Sequence, residues 1–266
     1  MILIGELLNT SRRSIAAAVE GRDADTVAAI ARRQADAGAD YIDVNAGTFA
    51  ARESECLCWL VETVQAAVDR PLCIDSPSPD AMRAALERHR GTALVNSISL
   101  EPERWRGMLE VVTARPCRVI ALCMSSAAMP AGVDERLDAG TTIVGELERA
   151  GVTRERILLD PLLQPVSLDV RQGQGFLEAL RRITAALPEV ETVCGLSNVS
   201  FGLPRRSLVN RTFLALALQS GLDAAICDPT DRRLQAALRA AEMLLGRDEY
   251  CEAFIDAHQS GALAED

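Results

Sequence analysis

The chain contains no lysine, so all 28 of its cationic side chains are arginine. Enzymes that form a Schiff base, or that anchor pyridoxal phosphate, need a lysine amine, and these classes are therefore excluded. The P-loop that holds nucleotide phosphates also contains a lysine, so this motif is absent. Catalysis in this protein must depend on carboxylates, carboxamides, hydroxyls, arginine and backbone groups.

Histidine is almost as scarce, because the sequence contains only His89 and His258. Two scattered histidines cannot build a histidine-rich catalytic metal site. The eight cysteines include no CxxC pair, and the "CLC" at 56–58 lies in a helical pattern. We therefore interpret the cysteines as reduced apolar residues and predict no metal site.

Cationic charge is also in deficit, since 28 arginines face 38 acidic residues and the net charge is −10. An acidic protein is poorly suited to binding nucleic acid through phosphate contacts. The start "MILIGELLNTSRRS" places its apolar stretch before its basic residues, which is the wrong order for a signal peptide. No apolar run has the length of a membrane span. These features predict a cytoplasmic protein that binds neither nucleic acid nor membrane.

Short apolar runs alternate along the chain with longer segments of helical periodicity. The predicted strands are 2–6, 41–45, 71–76, 93–97, 118–124, 157–161, 192–198 and 224–228. The predicted helices are 24–38, 53–69, 79–89, 101–114, 133–151, 173–187, 206–221 and 230–246. Asp25, Ser78 and Thr230 are placed to cap helix N-termini, whereas Gly38, Gly151, Gly221 and Gly246 follow helix C-termini.

Eight strand–helix units in 266 residues predict an α/β protein with a (β/α)8 TIM barrel as a single domain, 1–266. An open doubly wound sheet has the same alternation and is the alternative, although no GxGxxG follows the first strand. In a barrel, the functional site lies at the carboxyl ends of the strands. Those ends carry a ring of polar or sulfur-containing side chains, namely Glu6, Asp43, Asn45, Asp75, Asn96, Met124, Asp160, Ser197, Asn198 and Asp228.

This ring is rich in acceptors and amides, and it lacks the glycine-rich loops that bind phosphate after the seventh and eighth barrel strands. A carboxylate accepts two parallel N–H bonds from an amino-pyrimidinone edge, and asparagine both donates and accepts. We therefore expect a neutral heteroaromatic ligand. A metal held by Asp43, Asp75, Asp160 and Asp228 is an alternative that no ligand spacing specifies.

Several motifs give the chain a specific resemblance over nearly its whole length. The stretches "IGELLN", "DVNAG", "CIDS", "VNS", "LDPL", "GLSNVSFG", "NRTFLALALQSGLDAAICDP" and "EMLLGRDEYC" resemble the pterin-binding, corrinoid-dependent methyltransferases. Within these, the resemblance is to the methyltetrahydrofolate:corrinoid/iron–sulfur protein methyltransferase family. It implies a TIM barrel, a homodimer, and methyl transfer between tetrahydrofolate and cobalamin.

Site residues follow from this resemblance by matching motifs. It implies that Asp75, Asn96 and Asp160 bind the pterin ring, and that Asn198 hydrogen-bonds N5, the nitrogen that carries the methyl group. Further residues are expected to line the site: Gly195, Ser197, Arg206, Glu6, Asp43, Asn45, Met124 and Ile226.

The resemblance also implies a partner. Neither histidine lies in the DxHxxG context of a cobalamin-binding module, so the corrinoid is expected on a separate protein. The direction of methyl transfer is open. Two other functions are open as well: a dihydropteroate synthase, whose family pattern uses a lysine that this chain lacks, and a non-catalytic folate-binding subunit of a corrinoid complex.

Overall fold

The computed structural model describes residues 1–125, 129–130 and 132–263, and at its centre eight parallel strands form a closed barrel. Each strand pairs with the next along the chain, and β1 pairs with β8 to close the ring. The strands are β1 Ile2–Asn9, β2 Tyr41–Asn45, β3 Leu72–Asp75, β4 Leu94–Ile98, β5 Arg118–Leu122, β6 Ile157–Asp160, β7 Glu191–Gly195 and β8 Ala224–Cys227. The predicted TIM barrel is confirmed and the open sheet is wrong.

Ten α-helices of the described residues surround or flank this barrel. They are α1 Arg13–Glu20, α2 Ala24–Asp36, α3 Glu53–Ala67, α4 Pro79–Arg88, α5 Pro102–Ala114, α6 Val133–Arg149, α7 Gln172–Ala186, α8 Arg206–Gln219, α9 Arg232–Leu244 and α10 Glu252–Gln259. The eight predicted helices are present. The sequence patterns missed α1 and α10, because two turns are too short for a reliable helical period. None of the helices described is both long and apolar enough to cross a bilayer.

Helix capping agrees in part with prediction. Ser78 caps α4 by accepting from the Ala81 N–H, as expected. The cap of α2 is Asp23 rather than Asp25, because the helix already begins at Ala24. The prediction for Thr230 is also wrong, since the carboxylate one residue later caps α9. The four predicted terminal glycines all have positive φ and each follows the C-cap residue of its helix, so those predictions are confirmed.

Apolar side chains fill the lower interior of the barrel, beneath the carboxyl ends of the strands. This plug consists of Ile4, Cys73, Leu94, Ile120, Leu158, Val193 and Ala224, all at most 1% exposed. A second apolar layer lies between the strands and the outer helices. The plug closes the barrel from below, so a ligand enters only from the carboxyl end. All eight cysteines are free, and most of them belong to these apolar layers.

A bulge in β1 places the first carboxylate of the site. The pairing register of β1 with β2 shifts between Gly5 and Leu8, which frees the Leu7 N–H from the ladder. The buried side chain of Gln34 compensates by accepting from that N–H at 3.0 Å. A Cβ on Gly5 would lie 2.4 Å from Gln34 Oε1, so only glycine fits there. Gln34 therefore contacts the strand at Gly5 and Leu7, the residues on either side of Glu6, and fixes the backbone there.

The seventh strand ends earlier than the pattern predicted. It stops at Gly195, and Leu196–Asn198 form a turn of 3-10 helix. The buried Leu196 is the anchor of this turn. Ser197 and Asn198 consequently lie above the barrel on a turn, from which their side chains reach a wider part of the mouth than strand residues would.

Candidate active site

A cavity of about 610 Å³ opens at the carboxyl ends of the strands. It is lined by Glu6, Asn9, Ser11, Arg12, Asp43, Asp75, Asn96, Gly195, Ser197, Asn198, Arg206, Ser207, Asn210, Ile226, Cys227, Asp228, Asp231 and Leu234. Most of the predicted site residues are therefore brought together in one place. Three of them, Asn45, Met124 and Asp160, do not line this cavity.

The floor of the cavity under β2, β3 and β4 is built of carboxylates and carboxamides. Asp75 lies at the end of β3, where its Oδ2 accepts a hydrogen bond of 2.9 Å from Asn45 Nδ2. Asn45 thus lies behind the cavity and orients the carboxylate that faces it. Burial raises the pKa of Asp75 to about 6, although the Asn45 bond and the nearby Arg104 charge lower it. The group is therefore ionised at neutral pH, while it protonates more readily than an exposed aspartate.

Asp43 lies beside this pair and is only 2% exposed. Its Oδ1 has no hydrogen-bond partner among the described residues, although it faces a cavity. Burial raises its pKa well above the usual range, and the neighbouring charge of Asp75 raises it further. Polar contacts with the Cys73 thiol and the Asn96 carboxamide oppose that shift. Two adjacent carboxyls do not both ionise easily, so Asp43 takes up a proton at a higher pH than an exposed aspartate does.

The opposite wall is connected by hydrogen bonds through Glu6. Its Oε1 accepts from Ser197 Oγ at 2.9 Å and from Arg12 Nη2 at 3.2 Å. Arg206 donates from Nη2 to the Ser197 carbonyl at 2.7 Å and from Nε to Ser200 Oγ at 3.1 Å. Burial raises the pKa of Glu6, while the Ser197 hydrogen bond and the charges of both arginines lower it. The wall therefore ties the turn after β7 to the end of β1.

Asn198 projects from this wall, and its carboxamide lacks a hydrogen-bond partner among the described residues. The side chain is exposed to the cavity and makes no hydrogen bond to any described residue. A Cβ on Gly195 would lie 3.0 Å from Asn198 Nδ2, which is tighter than an ordinary contact. The glycine thus makes room for the Asn198 carboxamide. A carboxamide that lacks partners is available to donate to, or accept from, a ligand.

Asp160 and Met124 lie apart from this cavity. Asp160 Oδ1 accepts from the Leu162 N–H at 2.7 Å and so supports a left-handed residue, with φ of 62°, in the β6–α7 loop. Burial raises the pKa of Asp160 to about 7. Met124 lines a separate cavity beside α6, together with Leu100 and Thr142. The pterin-binding role expected of Asp160 stays a prediction.

Sequence reasoning did not include several cavity residues among the predicted pterin-binding residues. Asn9, Ser11 and Arg12 come from the β1–α1 connection, whereas Ser207 and Asn210 come from the first turns of α8. Arg206, Ser207 and Asn210 follow a helical spacing that places them on one side of α8, and this signal was readable in advance. The inward course of the β1–α1 connection had no sequence signal.

No group of three or more His, Cys, Asp or Glu side chains in the described part of the chain is arranged to hold a metal ion. The floor carboxylates are instead interleaved with carboxamides from Asn45 and Asn96. Such a set has acceptors and donors at fixed places, which suits a planar ligand with N–H groups on one edge.

The family model described as "Pterin binding enzyme" matches residues 5–228. The chain belongs to the pterin-binding enzyme family. That match runs from within β1 to the end of β8, whereas the extent of the functional domain over 1–266 stays a prediction.

Among members of this family, the chain is 36% identical to a methylcorrinoid:tetrahydrofolate methyltransferase of Eubacterium limosum, over 99% of this chain and 98% of the relative. It is 26% identical to the methionine synthase of Mycobacterium leprae, over 85% of this chain but only 20% of that much longer protein.

Solved structures of dihydropteroate synthase share the fold of this pterin-binding protein. The enzyme from Yersinia pestis superposes with a TM-score of 0.73 at 17% identity, covering 92% of this chain and 93% of the other. The enzyme from Xanthomonas albilineans gives 0.67 at 22% identity, covering 88% and 90%. At these identities the likeness concerns the fold alone.

Proposed function

We propose that this protein transfers a methyl group between N5 of tetrahydrofolate and the cobalt of a corrinoid carried by a separate protein. The observation that carries the proposal is the similarity to the Eubacterium limosum methyltransferase, 98% of whose length is matched. The cavity supports it, because a carboxylate floor for a pterin lies opposite an unoccupied carboxamide.

The floor is suited to the amino-pyrimidinone edge of a pterin. In our proposal the Asp75 carboxylate accepts from the ring N–H and the exocyclic amine, and Asn96 completes the edge with its carboxamide. Because the acceptor is ionised, each of these hydrogen bonds contributes about 1.5 to 3 kcal/mol. Asn45 fixes Asp75 by the bond of 2.9 Å, so little reorganisation accompanies binding. A role for Asp160 in ring binding stays part of the proposal, although that residue does not line the cavity.

Asn198 is proposed to act on N5. When the methylcorrinoid is the donor, the N5 lone pair forms the new N–CH3 bond, and the Co–C bond breaks with its electron pair remaining on cobalt as Co(I). N5 then releases its proton to solvent. Before transfer, the carboxamide oxygen of Asn198 accepts a hydrogen bond from N5–H. After transfer, the carboxamide NH2 donates a hydrogen bond to the N5 lone pair. One neutral side chain thus serves both directions through the same transition state.

We propose the direction from methylcorrinoid to tetrahydrofolate, which is the direction that the name of the Eubacterium limosum relative gives. In this direction the enzyme does not have to activate a poor leaving group on nitrogen. Its task is to hold N5 in line with the methyl carbon. This positioning makes a bimolecular reaction effectively unimolecular.

A corrinoid protein as partner requires a docking surface at the barrel mouth. The β6–α7 and β7–α8 loops join there, because Ser167 Oγ donates to the Phe201 carbonyl at 2.6 Å. They expose Leu168, Val170 and Phe201 at 77, 85 and 64%. Exposed apolar side chains grouped beside a cavity support protein docking at that edge.

We also propose a homodimer. A groove between α8 and α9 exposes Leu216 and Leu244, which support association with a second copy. Light scattering on the purified protein should give the dimer mass, and the double variant L216E/L244E should give the monomer mass. The cysteines are all free, which supports a reducing, cytoplasmic location.

The decisive assay mixes the protein with free methylcobalamin and tetrahydrofolate without oxygen and follows the absorbance of cob(I)alamin. The reverse mixture of methyltetrahydrofolate and cob(I)alamin should form methylcobalamin. Tight folate binding without transfer in either direction would instead indicate a non-catalytic subunit. Pyrophosphate release from a dihydropterin diphosphate and p-aminobenzoate would indicate the synthase.

A further inference from the structure

The turn that carries Asn198 has little internal support. Leu196–Asn198 is a single turn of 3-10 helix, and the hydrogen bond that closes it runs from the Val199 N–H to the Leu196 carbonyl at 3.3 Å. Hydrogen-bond geometry in such turns is poorer than in an α-helix. The position of the Asn198 carboxamide therefore depends on contacts with other parts of the chain.

The first half of this turn is held by the barrel and by the cavity wall. The buried Leu196 anchors its start. Ser197 is held on the side of β1 and α8, because its hydroxyl donates to Glu6 and its carbonyl accepts from Arg206. All of these contacts precede Asn198 in the chain, so they fix one end of the turn only.

The β6–α7 loop holds the second half of the turn through two hydrogen bonds, which we call the loop clasp. The Val166 N–H donates to the Val199 carbonyl at 3.1 Å. Ser167 Oγ donates to the Phe201 carbonyl at 2.6 Å. The Phe201 N–H in turn donates to the Asn198 carbonyl at 3.1 Å. Ser167 is thus linked to the backbone of Asn198 through a single residue.

Gly202 allows the two sides of the loop clasp to approach closely. Its φ is +79°, and a Cβ at this position would lie 3.3 Å from Ser167 Oγ, which is tighter than an ordinary contact. A larger residue would strain the backbone and displace the hydroxyl from the Phe201 carbonyl. The chain is therefore shaped on both sides to keep the Ser167 hydrogen bond.

The β6–α7 loop is itself fixed to the barrel. At its start, the Leu162 N–H donates to Asp160 Oδ1 at 2.7 Å. At its end, Arg136 of α6 donates from Nη2 to Gln172 Oε1 at 3.1 Å, and the same atom lies 3.5 Å from the Leu162 carbonyl. The side chain of Arg136 is buried, so water competes little for these contacts. A loop held at both ends can support the turn instead of following its movements.

We propose that the β6–α7 loop supports the catalytic turn through the loop clasp, and that Ser167 is a positioning residue for methyl transfer. Ser167 lies outside the set of residues that line the cavity, so its contribution runs through Phe201 and the Asn198 backbone. Its hydroxyl keeps the Asn198 carboxamide directed at N5. The inference rests on the proposed function, since N5 is the atom for which the carboxamide is positioned.

The test measures S167A with free methylcobalamin and tetrahydrofolate without oxygen, so that docking of a corrinoid protein plays no part. We expect kcat to fall by about three- to tenfold, because a misplaced carboxamide meets N5 in the productive geometry less often. The dissociation constant of tetrahydrofolate and the melting temperature should change little, since the Ser167 bond is exposed and the pterin floor lies under other strands. S167T keeps the hydroxyl and should restore most of the rate.

The variant T113A is the matched control. Thr113 is exposed and its hydroxyl donates to the Leu109 carbonyl at 2.7 Å near the end of α5, which leads into the opposite end of the barrel. The variant removes the same kind of hydrogen bond without touching the mouth. Its kcat, folate affinity and melting temperature should equal those of the wild type.

Hydrogen exchange followed by mass spectrometry gives a second readout that does not depend on activity. Exchange over residues 196–203 should rise in S167A, because the turn opens more often once the hydrogen bond is lost. In S167T and T113A it should stay at the wild-type level. Unchanged exchange in S167A would overturn the support of the turn by the loop, whatever happens to the rate.

The kinetic outcomes separate this inference from the function on which it rests. Methyl transfer by the wild type with an equal kcat in S167A would overturn the role of Ser167 and keep the methyltransferase. A loss of rate in S167T as large as in S167A would also overturn it, because the hydroxyl would not be the cause. A loss of folate affinity or of melting temperature that parallels the loss of rate would show a general loosening of the fold instead of positioning. Absence of methyl transfer by the wild type in either direction would overturn the proposed function itself.

Discussion

The two sides of the barrel mouth differ in burial and in charge. Under β2, β3 and β4, Asp43 is buried and Asp75 is partly buried, and the pKa values of both are raised. Around β7, α8 and β1, the cavity residues Asn198, Arg12 and Arg206 are exposed. The buried side carries carboxyls that protonate more readily than exposed ones, which suits recognition of a neutral ring. The exposed side is open to a large partner and to solvent, which suits the reacting atom.

The largest expected effect concerns the exposed side. N198A removes the one unoccupied carboxamide that faces the proposed N5 position, so kcat for methyl transfer should fall by about 100- to 1,000-fold, as for the loss of one preorganised donor. Stopped-flow absorbance of the corrinoid measures this rate. The dissociation constant of unmethylated tetrahydrofolate and the melting temperature should change little. A rate equal to that of the wild type would remove Asn198 from the mechanism.

The buried side should affect binding instead. D75A removes the carboxylate that Asn45 orients, and we expect tetrahydrofolate to bind about 10- to 100-fold more weakly, since bonds to a charged acceptor are lost. The rate at saturating folate should fall much less. D80A, which removes an exposed carboxylate from α4, is the control and should leave titrations unchanged. A D75A variant with unaltered affinity would place the pterin elsewhere.

The pH dependence of folate binding should test the proposed role of the buried side. Burial raises the pKa of Asp75 to about 6, and the ionised form is the acceptor. Folate affinity should therefore be constant above that pH and fall by up to about tenfold per unit below it, because the proton competes with the ligand. Calorimetry between pH 5 and 8 measures the profile. D75N should bind weakly with a flatter profile, and an unchanged slope in D75N would assign the titration to another group.

The smallest effect is expected at Gly195. Its φ of −74° suits alanine, but the new methyl would lie 3.0 Å from Asn198 Nδ2 and displace the carboxamide by a few tenths of an ångström. We expect G195A to reduce kcat by about three- to tenfold, well short of N198A, since positioning is impaired rather than removed. G145A is the control, because its methyl would contact only a flexible arginine at 3.7 Å. If G195A equalled N198A, the glycine would serve more than the placement of Asn198.

The fold was predictable because it repeats. Eight alternations of apolar strands and amphipathic helices each carry a local signal, so a local error such as the cap at Thr230 does not change the count. The end of β7 was harder to predict. A buried Leu196 continues the apolar pattern of the strand, yet the chain coils there into a 3-10 turn. Periodicity reports which residues are buried, and it does not report where the backbone changes direction.

Asp160 and Arg12 show the same limit for the site. Both follow the carboxyl ends of strands, so position alone treats them alike. In the folded protein Asp160 turns back to the Leu162 N–H and supports a loop, whereas Arg12 reaches Glu6 and lines the cavity. The difference depends on which hydrogen-bond partner lies within reach, and that partner is known only after the loops are placed.

The sequence by itself determined the barrel, the end of it at which polar residues gather, and the inventory of groups available for chemistry, in which lysine has no part. These properties follow from residue type and period. The tertiary structure alone decided that the buried Asp43 lies beside Asp75, that Gly195 faces the Asn198 carboxamide, and that Arg12 and Arg206 line one cavity. Burial, pKa and charge pairing depend on neighbours in space, and closing the barrel brings residues from its first and last strands together.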